Sequence, residues 1–208
     1  MLDFLNRSVL VVAPHLDDVE LGMGGTLNRI CRSNPKSVHY LGLSLPPNVD
    51  KDVYMDEFWE SNKNYNIPKE NYIFKTFDPR DLFSNRLDIL QLMYDLNKKI
   101  SPDLVFIPNS QDVHQSHQAV HQEGVRVFKN STILGYELPW NSIKMNMDVF
   151  ITLNIEDVEA KQEAINSFRS QFNRTFFENN ILSSLAEVRG KQVNKHYAEC
   201  FELIRMVC

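Results

Sequence analysis

The stretch "VVAPHLDDVELGMGG", residues 11–25, closes an apolar run with a histidine, two adjacent aspartates and a glutamate, and then passes into glycines. Neighbouring carboxylates in one crevice are costly, because each raises the other's pKa unless a positive charge compensates. A divalent cation does so directly: His15 offers a nitrogen, and Asp18, three residues on, an oxygen. Taken alone, the same residues also read as a polar turn. Gly22, Gly24 and Gly25 suit a tight entry into a helix that packs closely on a sheet. The rival is a phosphate-cradling turn, but neither G-x-G-x-x-G nor G-x-x-x-x-G-K-[ST] is present, and the aspartates upstream would repel a phosphate. A bare dinucleotide site is therefore disfavoured.

A second cluster lies in "PNSQDVHQSHQAVHQEG", residues 108–124. His114 and His117 are three apart, which places two imidazoles on one side of a helical turn, and His121 continues the row. Half of the chain's six histidines fall in this short stretch. His121 reads as the next helix turn, whereas His39, inside a strand run, and His196, near the last strand, read as structural.

Both clusters need a scaffold that brings them together. Apolar runs of strand length and β-branched or aromatic character occupy 8–13, 37–45, 71–77, 103–108, 131–138 and 147–154, each bounded by Pro, Asn, Asp or Ser. Between them runs helical spacing, as in Leu87, Leu90, Met93 and Tyr94, closed by Lys98 and Lys99 and stopped by Pro102. Strands alternating with helices predict an α/β fold, a three-layer Rossmann-like sandwich with a mostly parallel central sheet. After residue 155 the pattern predicts two helices, over 155–172 and 179–193, and a final strand in "YAECFELIRM". With no low-complexity linker and no repeat, the expectation is a single domain over 1–208. In open parallel sheets ligands gather at the carboxyl ends of strands, where both clusters fall.

Twenty-two Lys and Arg against 27 Asp and Glu leave a net charge of −5, with no basic stripe, so nucleic acid is not an expected partner. No segment approaches the ~20 apolar residues of a membrane span, and the start of the chain lacks a signal-peptide pattern. A cytoplasmic protein is the expectation. Cys31, Cys200 and Cys208 are widely spaced and read as ordinary thiols.

With both clusters in view, the sequence resembles the PIG-L/LmbE-like family of zinc-dependent N-acetylglucosaminyl deacetylases. The family's first motif, approximately [A/P]-H-x-D-D-x-E-x-G-x-G-G-T, stands here as "PHLDDVELGMGGT" (14–26), matched at every defined position. Its second motif, near H-x-D-H, stands as "HQSH" (114–117), and "EVRGKQVNKHYAECFELIR" (187–205) is similar to its C-terminal end. The resemblance implies His15, Asp18 and His117 as ligands of a zinc ion, with ferrous iron tolerated by the same set. It also implies Asp17 as general base and His114 as the group that stabilises the oxyanion or protonates the departing amine. Glu20, which suits the start of a helix dipole, would support the motif loop.

Three departures from the family pattern stand out. Ser116 replaces the aspartate that orients the first histidine of the second motif, leaving His114 less basic unless Asp112 or Glu137 takes its place. Tyr54, before Glu57, stands where relatives carry an arginine, and the loop "PPNVD" is shorter than theirs. Candidate substrate contacts are Glu137, Trp140 and Asn141 at one strand end, with Arg189 and, near a third strand end, Arg80 and Arg86. Trp140 could stack on a sugar ring or pack in the core, and Arg189 could clamp an anion or form a salt bridge.

The expected activity is removal of an acetyl group from an N-acetylated amino sugar of the N-acetylglucosamine type, with nucleotide and thiol linkage both open; homo-oligomers are common among relatives, and the subunit count is open here. An amidase or deformylase on another small amide, and a metal-binding module without turnover, are the alternatives.

Overall fold

The computed structural model describes residues 4–47, 49–172, 174 and 181–208. Its centre is a seven-stranded sheet of β1 (Ser8–His15), β2 (Ser37–Ser44), β3 (Tyr72–Phe77), β4 (Leu104–Pro108), β5 (Thr132–Tyr136), β6 (Val149–Leu153) and β7 (Tyr197–Arg205). The strand order is β3-β2-β1-β4-β5-β7-β6. β1 to β5 are mutually parallel, whereas β7 runs antiparallel to both neighbours. The helices are α1 (Asp18–Arg32), α2 (Lys51–Asn62), α3 (Arg86–Ile100), α4 (Gln115–Val127), α5 (Ile155–Asn166) and α6 (Ile181–Gln192). Among the described residues no helix is long and apolar enough to cross a membrane.

Strand periodicity divides the core into two layers. Val9, Val11 and Ala13 of β1 pack with α1, α2, α5 and α6, while Leu10 and Val12 pack with α3 and α4 on the opposite face. That is the three-layer α/β arrangement expected from the alternating elements. The helix expected over 155–172 ends at Asn166, followed by a 3-10 turn at Arg169–Gln171. Of the helix expected over 179–193, Asn179 and Asn180 lie outside the described residues, and α6 is helical from Ile181.

The glycines of the first motif are explained by a break in α1. Met23 has φ −148° and ψ 22°, so the helix restarts after it. The restarted end donates Gly25 N to Glu199 Oε1 at 3.2 Å and Thr26 N to Glu199 Oε2 at 2.7 Å, and Lys161 Nζ completes the buried group at 2.6 Å. A Cβ on Gly25 would sit 2.6 Å from Leu153 Cδ1. These amide donors are thus consumed by an internal carboxylate, which leaves no phosphate cradle at the turn.

Candidate metal centre

Because β1 and β4 are adjacent and parallel, their carboxyl ends bring the two histidine-bearing loops side by side. His15 is the last residue of β1, Asp17 and Asp18 begin α1, and His114 caps α4. Nδ1 of His15 lies 3.0 Å from Oδ2 of Asp18, Asp18 Oδ2 lies 3.2 Å from Nε2 of His117, and His117 Nε2 lies 3.2 Å from His15 Nδ1. Three ligands bound about 2.0–2.1 Å from a tetrahedral zinc are spaced about 3.3 Å from one another. The triangle therefore has the dimensions of one face of such a site.

The donor chemistry agrees with that geometry. His117 Nδ1 donates to Asp112 Oδ2 at 2.7 Å, so its neutral ring presents a lone pair at Nε2. Aspartate oxygen and imidazole nitrogens then converge with nothing positive between them. A proton on an imidazole is one answer. Burial alone would lower His117, but the Asp18 charge and the bond to Asp112 outweigh it and push it up to about 10. Burial likewise works against the Asp18 charge, yet His117 and His15 hold its carboxyl well below the usual range. A bound cation would supply the same compensation, and the residues fit one.

His114 stands close by, its ring centroid 4.6 Å from that of His117 and 5.0 Å from that of His15. The nitrogens of His15, His114 and His117 lie within 4.8 Å of one another, so a three-histidine site is also geometrically open. The hydrogen bond of His114 separates the two possibilities. Its Nδ1 accepts from Ser116 N at 3.2 Å, which places the neutral ring's proton on Nε2 and makes that atom a donor. Burial first, and the facing His117 and His15 next, lower His114 to about 4.

Asp17 occupies the N-cap of α1, a position where aspartate ordinarily accepts from the helix's first amides, but its side chain makes no capping bond. Its Oδ2 is buried with no hydrogen-bond partner among the described residues. An unsatisfied buried polar atom costs about 1–3 kcal/mol. Burial, reinforced by Asp18, raises Asp17 to about 6. A cavity of about 300 Å³ opens over these groups, bordered by His15, Asp17, Asp18, His114 and His117.

The expected substrate contacts divide. Trp140, Asn141 and Arg80 border the cavity, with Trp140 also packed against the core. Glu137, Arg189 and Arg86 do not. Arg189 donates Nε to Glu137 Oε2 at 3.0 Å in a largely buried pair, so the salt-bridge alternative for Arg189 describes what the side chain does. Arg86 is held by Glu123, which also binds Arg126. Nor does Asp112 or Glu137 stand in for the missing aspartate beside His114: Asp112 serves the ring of His117 and accepts His114 N at 2.8 Å. Ser116 instead donates its hydroxyl to Pro79 O at 2.7 Å. Sequence reasoning missed Pro46, Pro47, Pro79 and Arg174 at the cavity; none carries a spacing signal that points there.

Asp112 fixes the tautomer of a candidate ligand from outside the ligand set. Asp112→Asn is expected to weaken zinc binding by about 10- to 100-fold, read by competition with a chromophoric chelator. An unchanged affinity would mean that His117 needs no such support.

Residues 10–128 match the PIG-L family model, described as GlcNAc-PI de-N-acetylase. An uncharacterized deacetylase of Escherichia coli (strain K12), YaiS, is 25% identical over 172 residues, 79% of this chain and 91% of that protein. Among solved structures, the conserved protein TT1542 of Thermus thermophilus superposes with a TM-score of 0.81 at 22% identity, covering 97% of this chain and 96% of that one. The N,N'-diacetylchitobiose deacetylase of Pyrococcus horikoshii follows at 0.73 and 19%, covering 95% and 84%. The 4-carboxy-2-hydroxymuconate hydratase GalB of Pseudomonas putida KT2440 also has a TM-score of 0.73, at 17% identity over 97% and 98%. The motif that frames the candidate centre lies within the matched segment, and the chain belongs to the PIG-L family.

Proposed function

We propose that this protein is a metal-dependent hydrolase that removes an acetyl group from an N-acetylated amino sugar conjugate. The observation that carries the reading is the triangle of His15 Nδ1, Asp18 Oδ2 and His117 Nε2, with the uncapped Asp17 carboxylate beside it. Fold likeness does not select the reaction, since a hydratase shares the fold. The residues at the strand ends are what support the deacetylase reading.

In this reading His15, Asp18 and His117 hold a zinc ion, for which two nitrogens and a carboxylate are ordinary ligands; ferrous iron accepts the same set. When bound, the ion polarises the acetamide carbonyl and lowers the pKa of water toward ~7. Asp17, with no helix amide to serve, accepts the proton of the attacking water and returns it to the departing amine. His114 donates from Nε2 to the carbonyl oxygen as charge develops on it. Trp140 and Asn141 border the space in which a sugar ring would lie.

The test is acetate release from N,N'-diacetylchitobiose and other N-acetylglucosamine conjugates. Chelation is expected to abolish release, and one equivalent of zinc to restore it. Turnover that persists after the metal is removed and verified absent would sink the proposal. Formate or a longer acid released from other amides, with no acetate from any sugar, would move the reading to the amidase alternative.

A further inference from the structure

Tyr54 of α2 is fully buried, yet its hydroxyl has no hydrogen-bond partner among the described residues. Oδ2 of Asp17 is in the same condition. The two groups are neighbours that act on each other: the hydroxyl favours the Asp17 charge, and the carboxylate discourages loss of the hydroxyl's proton.

The surroundings hold Tyr54 in place. Its ring lies against Phe168, with centroids 5.5 Å apart and planes 32° from parallel. Nearly one helix turn on, Glu57 accepts from Ser170 N at 2.9 Å and from Ser170 Oγ at 2.6 Å, which ties α2 to the 3-10 turn at Arg169–Gln171. Asp50 caps the other end of α2 by accepting from Asp52 N and Val53 N. Packing gives no reason for a hydroxyl here: phenylalanine would fill the same space without stranding a polar atom.

We infer that Tyr54 is a positioning residue for the hydrolysis, donating to Asp17 Oδ2 so that Oδ1 faces the cavity and receives the proton of the attacking water. The inference rests on the proposed function for its chemistry, though the contact itself does not. In the step, the water O–H bond breaks and the Asp17 Oδ1–H bond forms; Tyr54 keeps its proton throughout. It touches no reacting atom and acts only through Asp17.

Zinc-loaded wild type, Tyr54→Phe, Asp17→Ala and the double variant test this by melting temperature, zinc content and acetate release from N,N'-diacetylchitobiose. Tyr54→Phe is expected to keep one zinc per chain and the wild-type KM, and to lose roughly 10- to 100-fold in kcat, as for other groups that orient a reacting side chain. Its effect on melting temperature should differ between the wild-type and Asp17→Ala backgrounds, the signature of a direct contact. Equal shifts in both backgrounds would overturn the contact, and an unchanged kcat in active protein would overturn the role. If wild type itself released no acetate, the deacetylase reading would fail, while unequal melting shifts would still uphold the pairing of Tyr54 with Asp17 and equal shifts would still refute it.

Discussion

Asp17→Asn is expected to lower acetate release by about 10³-fold while leaving zinc stoichiometry unchanged and thermal stability equal or higher. General acid–base groups contribute roughly 10²- to 10⁴-fold, and a loss near 10³ corresponds to about 4 kcal/mol of barrier. The substitution removes the proton acceptor but none of the three candidate ligand atoms. It also removes a buried negative charge that Asp18 opposes, and the amide oxygen of asparagine can still accept from Tyr54, so the fold loses little by it. Asp50 supplies the control. It too is an N-cap aspartate, but it spends its carboxylate on Asp52 N and Val53 N, so Asp50→Asn should leave turnover alone. A drop in zinc content with Asp17→Asn would mean that Asp17, rather than Asp18, holds the metal.

The second large effect separates two histidines whose rings are 4.6 Å apart. His117→Ala should lose both stoichiometric zinc and turnover, the latter by 10³-fold or more on the order of a removed Lewis acid. His114→Ala should keep the zinc and lose about 10²- to 10³-fold in kcat, the range for deleting one oxyanion donor. The distinction follows from hydrogen bonding rather than from position in the sequence. His117 Nδ1 donates to Asp112, freeing Nε2 to bind a cation, whereas His114 Nδ1 accepts from Ser116 N and so carries its proton on Nε2. Plasma mass spectrometry and acetate assays on the two variants, purified without a histidine tag, read both outcomes. Zinc loss in His114→Ala would favour the three-histidine arrangement.

The layered fold and the location of the centre were legible because they depend on residue type and period. β1 is apolar on both faces, as a central parallel strand must be, and the two clusters sit directly after predicted strands. The direction of β7 was not legible: a strand pairing antiparallel to β5 and β6 has the same alternation as a parallel one. α2 was also obscure, since its buried residues include Glu57, Ser61 and Asn62, polar groups that no apolar period marks. Glu57 is buried because Ser170, more than a hundred residues on, satisfies it.

At the site, the limits of the sequence were those of pairing. Glu137 and Arg189 have the residue types of substrate contacts, but each is largely consumed by the other. Arg86 meets Glu123 on α4 for the same reason. Such partners come from separate elements, and only the packing of α4 and α6 determines which charges meet. The role of Asp112 was hidden similarly: it lies five residues before His117, and the loop must fold back to bring its carboxylate to Nδ1.

The central claim is that one metal ion sits against His15, Asp18 and His117, with Asp17 and His114 beside it and unbound. Anomalous diffraction at the zinc edge, from crystals of the zinc-loaded protein, tests it most directly. The account predicts one peak per chain about 2.0–2.2 Å from a nitrogen of His15, a nitrogen of His117 and an oxygen of Asp18. A peak bonded to His114 or Asp17 in place of one of these, or no peak at this cluster, would contradict it.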